Sequence, residues 1–471
     1  MTGEKSQAKD KHMTHPNIVF ILLDDLGKEW ISCYGAKDVD TPNIDKLANG
    51  GMRFNNVYSM PQCTPSRMCL LTGQYPYRNG WVNHWDVPRW GSARYDVDAY
   101  ACNLGLMMRK AGYATAIAGK WQLNDFRVEP SALDRAGFDD WCMWTGGEGN
   151  NPPSNKRYWN PYIVTKNKPA QTYPEAFGPD MFSDFVIDFA RCHKDEKKPF
   201  FIYYPMVLTH TPFTTTPHEP DAETNVGKHK AMVRYTDFLL GRLVEALDAM
   251  KIREDTLLIF TSDNGTCGDL VGHIGERAIP GGKAKTIEPG VNIPFIASWP
   301  GSIPAGGISE ALVDFTDMIP TFADIARQTV PGEDKVDGSS IAPYLRGDVD
   351  HVDRDWIMAM GGQNNAKVSD RGVENEWYFR DRVLRDERYK LYIGTDRSPQ
   401  KFVDLQADPD EQTDITGSET DTALASRQKF EALIPHWPER DADPRGTPQL
   451  PQAWDTPVTV KTLVWKKGSP E

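Results

Sequence analysis

The stretch Pro16-Asn17-Ile18-Val19-Phe20-Ile21-Leu22-Leu23-Asp24-Asp25 decides the fold. Its apolar run is rich in β-branched and aromatic residues and closes on two carboxylates. That is the mark of a strand buried on both faces, as found in α/β sheets covered by helices. Tyr113 to Ala118, Phe200 to Leu208, Thr256 to Phe260 and Ile293 to Trp299 share this character. Amphipathic stretches lie between several of them, so the expected class is α/β, a sheet sandwiched by helices.

In open α/β sheets, ligands gather beyond the carboxyl ends of the strands. Asp24 and Asp25 follow the first run, Lys120 the second, His210 the third, and Asp263 with Asn264 the fourth, while Lys283 precedes the fifth. A strand-end Asp taken singly is more often a turn or helix cap; their coincidence favours one shared site. Asp24, Asp25, Asp263 and Asn264 offer only hard oxygen donors. Such a set suits calcium or magnesium, and calcium better, because it accepts irregular oxygen cages.

Composition bounds the partners. The chain of 471 residues has a formal net charge of -13, which argues against nucleic acid and anionic membrane surfaces as partners. An anionic substrate then requires a local island of cations. The length suits a large domain and a smaller one, expected at 13–347 and 348–471. The seven cysteines include no CxxC pair, and no disulfide framework is expected. The polar first sixteen residues and the lack of a membrane-spanning run point to a cytoplasmic location, with a periplasmic or secreted one as the alternative if a signal peptide has been removed.

The run Pro61-Gln62-Cys63-Thr64-Pro65-Ser66-Arg67-Met68-Cys69-Leu70-Leu71-Thr72-Gly73 reads as a loop entering a short helix, with Pro65 in its first turn and Gly73 past its end. Cys63 then sits at a helix N-terminus that favours an anion, and Arg67 lies one turn along on the same side.

These residues resemble the type I sulfatases of the alkaline-phosphatase-like superfamily. Cys63-Thr64-Pro65-Ser66-Arg67 matches the CxPSR signature, and Thr72-Gly73-Gln74-Tyr75-Pro76 continues it. Pro16 to Asp25, Thr41-Pro42-Asn43-Ile44-Asp45, Gly119-Lys120-Trp121, Ser262-Asp263-Asn264-Gly265 and Gly281-Gly282-Lys283 extend the resemblance. Glu387-Arg388-Tyr389-Lys390-Leu391, Asp404-Leu405 and Asp408-Pro409 resemble the C-terminal part of such enzymes.

The resemblance implies an alkaline-phosphatase-like fold with a smaller C-terminal subdomain containing an antiparallel sheet. It implies a sulfuric ester hydrolase whose Cys63 is oxidised to formylglycine by a formylglycine-generating enzyme. The hydrated gem-diol attacks sulfur, and its second hydroxyl lets the resulting sulfate hemiacetal break by C–O elimination. Position by position, Asp24, Asp25, Asp263 and Asn264 would hold calcium together with an oxygen of the modified Cys63. Arg67 would steady the diol, Lys120 and Lys283 would bind sulfate oxygens, and His210 would protonate the departing alkoxide.

One position departs from the family. The usual Gly-Lys-Trp-His ends here in Gln122, which hydrogen-bonds but takes no proton at neutral pH. His84 and His273 are candidates for the missing base.

Two connecting stretches are aromatic and polar, His84-Trp85-Asp86-Val87-Pro88-Arg89-Trp90 and Asn150 through Tyr162. Flat rings with polar edges suit sugar faces, and Arg or Lys suits further sulfates or carboxylates. A sulfated carbohydrate, as a small molecule or oligosaccharide, is the expected substrate, with Gln122, His84, Trp85, His273 and Arg277 as candidate contacts. A phosphonate or phosphate-ester hydrolase of the same superfamily and a non-catalytic glycan-binding relative remain alternatives. In the C-terminal part, Trp377 to Phe379 and Arg388 to Ile393 are expected strands of an antiparallel sheet, followed by a Pro-rich tail from about Pro435.

Overall fold

The structure, a computed structural model, describes residues 15–82, 95–126, 129–144, 146, 152–196, 198–361, 366–369 and 372–444. A ten-stranded sheet organises it, in the order Gly307–Asp314, Met52–Tyr58, Phe295–Ser298, Thr256–Ser262, Asn17–Leu23, Phe200–Pro205, Ala114–Lys120, Asp140–Trp144, Tyr162–Thr165, Gln171–Thr172. Asn17–Leu23 lies at its centre, parallel to Thr256–Ser262 on one side and Phe200–Pro205 on the other.

The unbroken apolar run is explained by this placement. Successive side chains point to opposite faces, so Ile18, Phe20 and Leu22 enter one core while Val19, Ile21 and Leu23 enter the other. The helices Cys63–Thr72, Leu104–Lys110 and Met318–Ile325 cover the first face; Pro42–Asn49, Gly178–His193 and Asn225–Ala249 cover the second. Among the described residues no helix is long and apolar enough to cross a membrane.

All five expected runs form strands, with shifted ends. Phe295–Ser298 is antiparallel to both neighbours, which makes the sheet mixed. The third run leaves the sheet after Pro205, whose nitrogen has no hydrogen to donate, and its remainder carries the chain toward His210. Gly307–Asp314 at the sheet edge and its neighbour Met52–Tyr58 are strands that a search for continuous apolar runs misses, because polar residues interrupt them.

A four-stranded antiparallel sheet follows, in the order Ile357–Met360, Arg382–Arg385, Tyr389–Ile393, Pro399–Asp404. Trp377 to Phe379 is not one of its strands. It lies in bends between the hairpin Ala366–Ser369/Gly372–Asn375 and Arg382, with Trp377 and Tyr378 exposed, so its alternation reflects no sheet face. The small sheet joins the first core through Ile357, Leu384 and Leu391. Polar contacts also lock it to the large one. Glu288 accepts from Arg385 and, at 3.1 Å, from Lys390, while Lys390 reaches Glu411 at 2.8 Å. Pro435 falls in a short 3-10 turn, Ile434–His436, and the tail beyond 444 lies outside the described residues.

Candidate active site

Beyond the carboxyl ends of the central strands, six segments meet in a largely buried cluster. Asp24, Asp263 and Asn264 are fully buried, and Asp25, Arg67 and Lys120 almost so. Asp24 and Asp25 leave the central strand together, Asp25 in a left-handed conformation (φ 65°), and oxygens of both carboxylates lie within 4.8 Å of each other and of a His210 ring nitrogen. Asp263 and Asn264 leave the adjacent parallel strand: Asp25 N donates to Asp263 Oδ1 at 3.2 Å and Asn264 Nδ2 to Asp25 Oδ1 at 2.8 Å. Lys120 ends a third strand and reaches back to Asp24 Oδ2 at 2.8 Å.

Cys63 opens the helix Cys63–Thr72, as its sequence predicts, and Gly73 ends it in the left-handed conformation (φ 67°). Ser66 fastens the entry: its hydroxyl accepts from Met60 N at 3.0 Å and donates to Gln62 O at 2.9 Å. Arg67, one turn along, donates to Asp263 Oδ2 at 2.7 Å and to Lys120 O at 3.2 Å. Cys63 Sγ and carboxylate oxygens of Asp24 and Asp263 all lie within 4.8 Å of one another.

Lys283 arrives on a loop clamped by close backbone approach. A Cβ on Gly265 would stand 1.7 Å from Pro289 O, and one on Gly282 would stand 2.2 Å from Gly290 N. So held, Lys283 Nζ is 2.6 Å from Asp25 Oδ2 and 3.0 Å from His210 Nε2. His210 Nδ1 lies 2.6 Å from Thr211 O. A carbonyl only accepts, so this contact assigns the proton to Nδ1 and leaves Nε2 to accept from Lys283.

The charges adjust to one another. Burial alone would raise the Asp24 carboxyl, yet the charges of Lys120, Arg67 and Lys283 hold it well below the usual carboxylate range. Burial and the neighbouring Asp24 charge push Asp263 up to about 7 against Arg67 and Lys120. Burial, reinforced by Lys283, keeps His210 well below its ordinary value, so the imidazole is neutral. Burial disfavours the Lys283 ammonium, but Asp25 outweighs it and raises the group.

Comparison with known proteins decides the family. The family pattern described as Sulfatase matches residues 16–328. The chain belongs to the sulfatase family. A second pattern, N-sulphoglucosamine sulphohydrolase, C-terminal, matches residues 283–433 of this sulfatase. It is 29% identical to the N-acetylgalactosamine-6-O-sulfatase of Bacteroides thetaiotaomicron, over 85% of this chain and 89% of that protein. With the N-acetylgalactosamine-6-sulfatase of Homo sapiens the identity is 31%, over 70% of this chain and 66% of the human one. The crystal structure of Ps i-CgsB in complex with k-i-k-neocarrahexaose shares the fold, with a TM-score of 0.74 at 24% identity over 96% of this chain and 97% of that one.

The sulfatase's donor set fits a hard divalent cation on an observation of its own: Asn264 Oδ1 is buried without a hydrogen-bond partner beside three carboxylates. The nine residues Asp24, Asp25, Cys63, Arg67, Lys120, His210, Asp263, Asn264 and Lys283 therefore converge as their strand-end and helix-end positions suggest. Gln122 lies beside them, buried and left-handed (φ 60°), with Oε1 unpartnered.

Other expected contacts fall elsewhere. His273 Nδ1 is 2.8 Å from Asp38 Oδ2 and Arg277 Nη2 is 2.5 Å from Asp410 Oδ1, both in half-exposed ion pairs outside the cluster. The hairpin Val271–Ile274/Arg277–Pro280 carries both, and their partners Asp38 and Asp410 are not members of the cluster. His84 and Trp85 lie outside the described residues. Arg157 is the site residue that strand-end logic misses. It sits on a connecting loop, its guanidinium 4.5 Å from the Trp144 ring centre and its Nη2 3.0 Å from His210 Nδ1. Its one sequence signal is the basic-aromatic stretch Lys156-Arg157-Tyr158-Trp159.

Proposed function

We propose that the protein hydrolyses the sulfate ester of a sulfated carbohydrate, with a formylglycine derived from Cys63 as nucleophile and calcium held by Asp24, Asp25, Asp263 and Asn264. The observation that carries this reading is the convergence of Cys63, at a helix N-terminus, with buried carboxylates that each face a cation. A thiol at Sγ stands where the oxygens of the modified residue would lie. Bound there, calcium would supply Lewis-acid polarisation of those oxygens.

The chain's own residues supply the rest. Lys120 and Lys283 present ammonium groups toward one space, where they offset the charge of a sulfate group and of its transition state. Arg67 is braced by Asp263 and the Lys120 carbonyl, so its guanidinium is preorganised beside Cys63. At the leaving-group end, the proton shared by Lys283 Nζ and His210 Nε2 resides on Lys283, and the pair delivers it to the departing alkoxide. Burial excludes water from the nucleophile, which strengthens each of these interactions.

A carbohydrate substrate is supported by the names of the sulfatase relatives. Sulfate release from a panel of sulfated mono- and oligosaccharides, beside 4-nitrophenyl sulfate and 4-nitrophenyl phosphate, tests it. The reading predicts release from at least one sugar sulfate and a strong preference for sulfate over phosphate. Hydrolysis of the aryl sulfate alone would remove the carbohydrate part; preferred phosphate release would remove the sulfatase chemistry.

A further inference from the structure

Three carboxylates in the cluster are matched by three cations: Asp24 faces Lys120 at 2.8 Å, Asp25 faces Lys283 at 2.6 Å, and Asp263 faces Arg67 at 2.7 Å, with Arg67 also 3.7 Å from Asp24. Arg157 is a fourth cation at the same place and has no such partner. Among the described residues, no carboxylate stands at ion-pair distance from it. Its polar contacts are the Thr211 carbonyl, to which Nη2 donates, and His210 Nδ1 at 3.0 Å. Because Nδ1 carries the ring proton, that second contact gives Arg157 no acceptor. Its Nε is buried with no partner at all, and the residue is only 8% exposed.

Burying a guanidinium without a counter-charge is unfavourable, since its lost hydration goes uncompensated. Stacking on Trp144 at 4.5 Å holds the planar group in place without neutralising it. In a chain of net charge -13 that has carboxylates to spare, this cation stands unmatched. A planar fork of N–H donors suits one kind of ligand, an oxyanion bound through two oxygens.

Its position narrows the ligand further. Lys283 lies against Nε2 of His210 and Arg157 against Nδ1, so the imidazole ring separates the two cations. Trp144 pairs in register with Lys120, which sets the wall behind Arg157 alongside the strand that ends in Lys120. An anion at Arg157 is therefore a neighbour of the scissile sulfate, at a separation suited to substituents of one sugar ring or of adjoining rings.

We infer that Arg157 binds a second anionic substituent, an additional sulfate or a carboxylate, on the sugar whose sulfate ester is cleaved. The inference rests on the carbohydrate reading above. It makes Arg157 a specificity-determining residue and the preferred substrate a multiply charged saccharide.

The test compares kcat/KM for N-acetylgalactosamine 6-sulfate, N-acetylgalactosamine 4,6-disulfate and the 6-sulfated chondroitin disaccharide, which adds a uronate carboxylate. One of the two doubly charged substrates is expected to exceed the monosulfate by about tenfold or more, the scale of a charged hydrogen bond. The disulfate arm identifies a sulfate, the disaccharide arm a carboxylate. Arg157→Gln should collapse that ratio toward one, and Arg157→Lys should keep part of it. Equal rates of the wild-type protein on all three, or an unchanged ratio in Arg157→Gln, would overturn the inference. The ratio is internal to each enzyme, so a general loss of activity does not imitate it. The wild-type comparison decides the matter alone if the variant fails to fold. Cleavage of 4-nitrophenyl sulfate without release from these three or any other sugar of the panel is a different outcome, which overturns the carbohydrate reading and this inference with it.

Discussion

The Lys120 ammonium stands 2.8 Å from Asp24 Oδ2 with both side chains essentially out of solvent. Calcium bound by Asp24 would share that carboxylate with the ammonium and add further positive charge to the acidic cluster. Calcium is therefore expected to stabilise the fold by mass action, by about 2.7 kcal/mol when its free concentration is about 100 times Kd. Thermal unfolding with and without calcium measures this, and a chelator should lower both Tm and turnover. An unchanged Tm together with full activity in chelator would remove calcium from the site.

Cys63 is the next point of decision. Cys63→Ala should abolish sulfate release while leaving Tm near that of the unmodified protein, since the side chain packs at a helix end and leaves only a small void. The mass of the tryptic peptide spanning Cys63 should show aldehyde or hydrate in place of thiol. An active preparation whose peptide carries only thiol would refute the nucleophile.

Gln122 stands where the sequence resemblance leads one to expect a proton-accepting histidine, and its Oε1 is buried without a partner. Breakdown of the covalent intermediate is then expected to limit turnover. Pre-steady-state assay with 4-nitrophenyl sulfate should show a burst of phenol, and Gln122→His should accelerate the steady phase by about tenfold or more, within the range of general-base catalysis. The left-handed backbone at this position (φ 60°) accommodates histidine. A steady rate that does not change would place the slow step elsewhere.

His229 carries an acid sensitivity remote from the cluster. It is packed against Trp30 and Phe213 on the helix Asn225–Ala249, and neither ring nitrogen has a partner. Burial, with help from Lys230, lowers it to about 3. The folded value lies below the unfolded one of 6.5, so the unfolded chain binds the proton first. The stability that neutral His229 contributes is complete above that unfolded value. It falls by about 1.4 kcal/mol per pH unit as pH drops toward the folded value. His229→Leu should flatten the acid side of a Tm-against-pH curve; an identical curve would show that other groups set it.

Arg385 joins the two sheets, donating to Glu288 and, at 2.6 Å, to Asn56 Oδ1. Arg385→Met leaves Glu288 in a buried site with a weaker complement of cations and should cost about 3 kcal/mol in urea unfolding. Combining it with Glu288→Gln should recover part of the loss, because the two residues act on each other. Additive losses in the double variant would show that the contact carries no coupling.

The sequence by itself determined the α/β class, the five central strands, the helix that begins at Cys63 and the residues that end those strands. These are local facts: continuous apolarity marks a strand covered on both faces, and Pro65 and Gly73 bracket a helix through their own backbone preferences. Only the tertiary structure decided which side chains meet. Asn264 and Asp25 are 239 residues apart and bond at 2.8 Å because their strands are neighbours in the sheet, an order that no local preference encodes. The same holds for the residues that local patterns misplaced. Polar interruptions concealed the strand Met52–Tyr58, His273 and Arg277 found Asp38 and Asp410 instead of the cluster, and Arg157 arrived from a loop with no strand end to announce it. A strand announces its own burial, but a loop's destination depends on what the rest of the chain has already built around it.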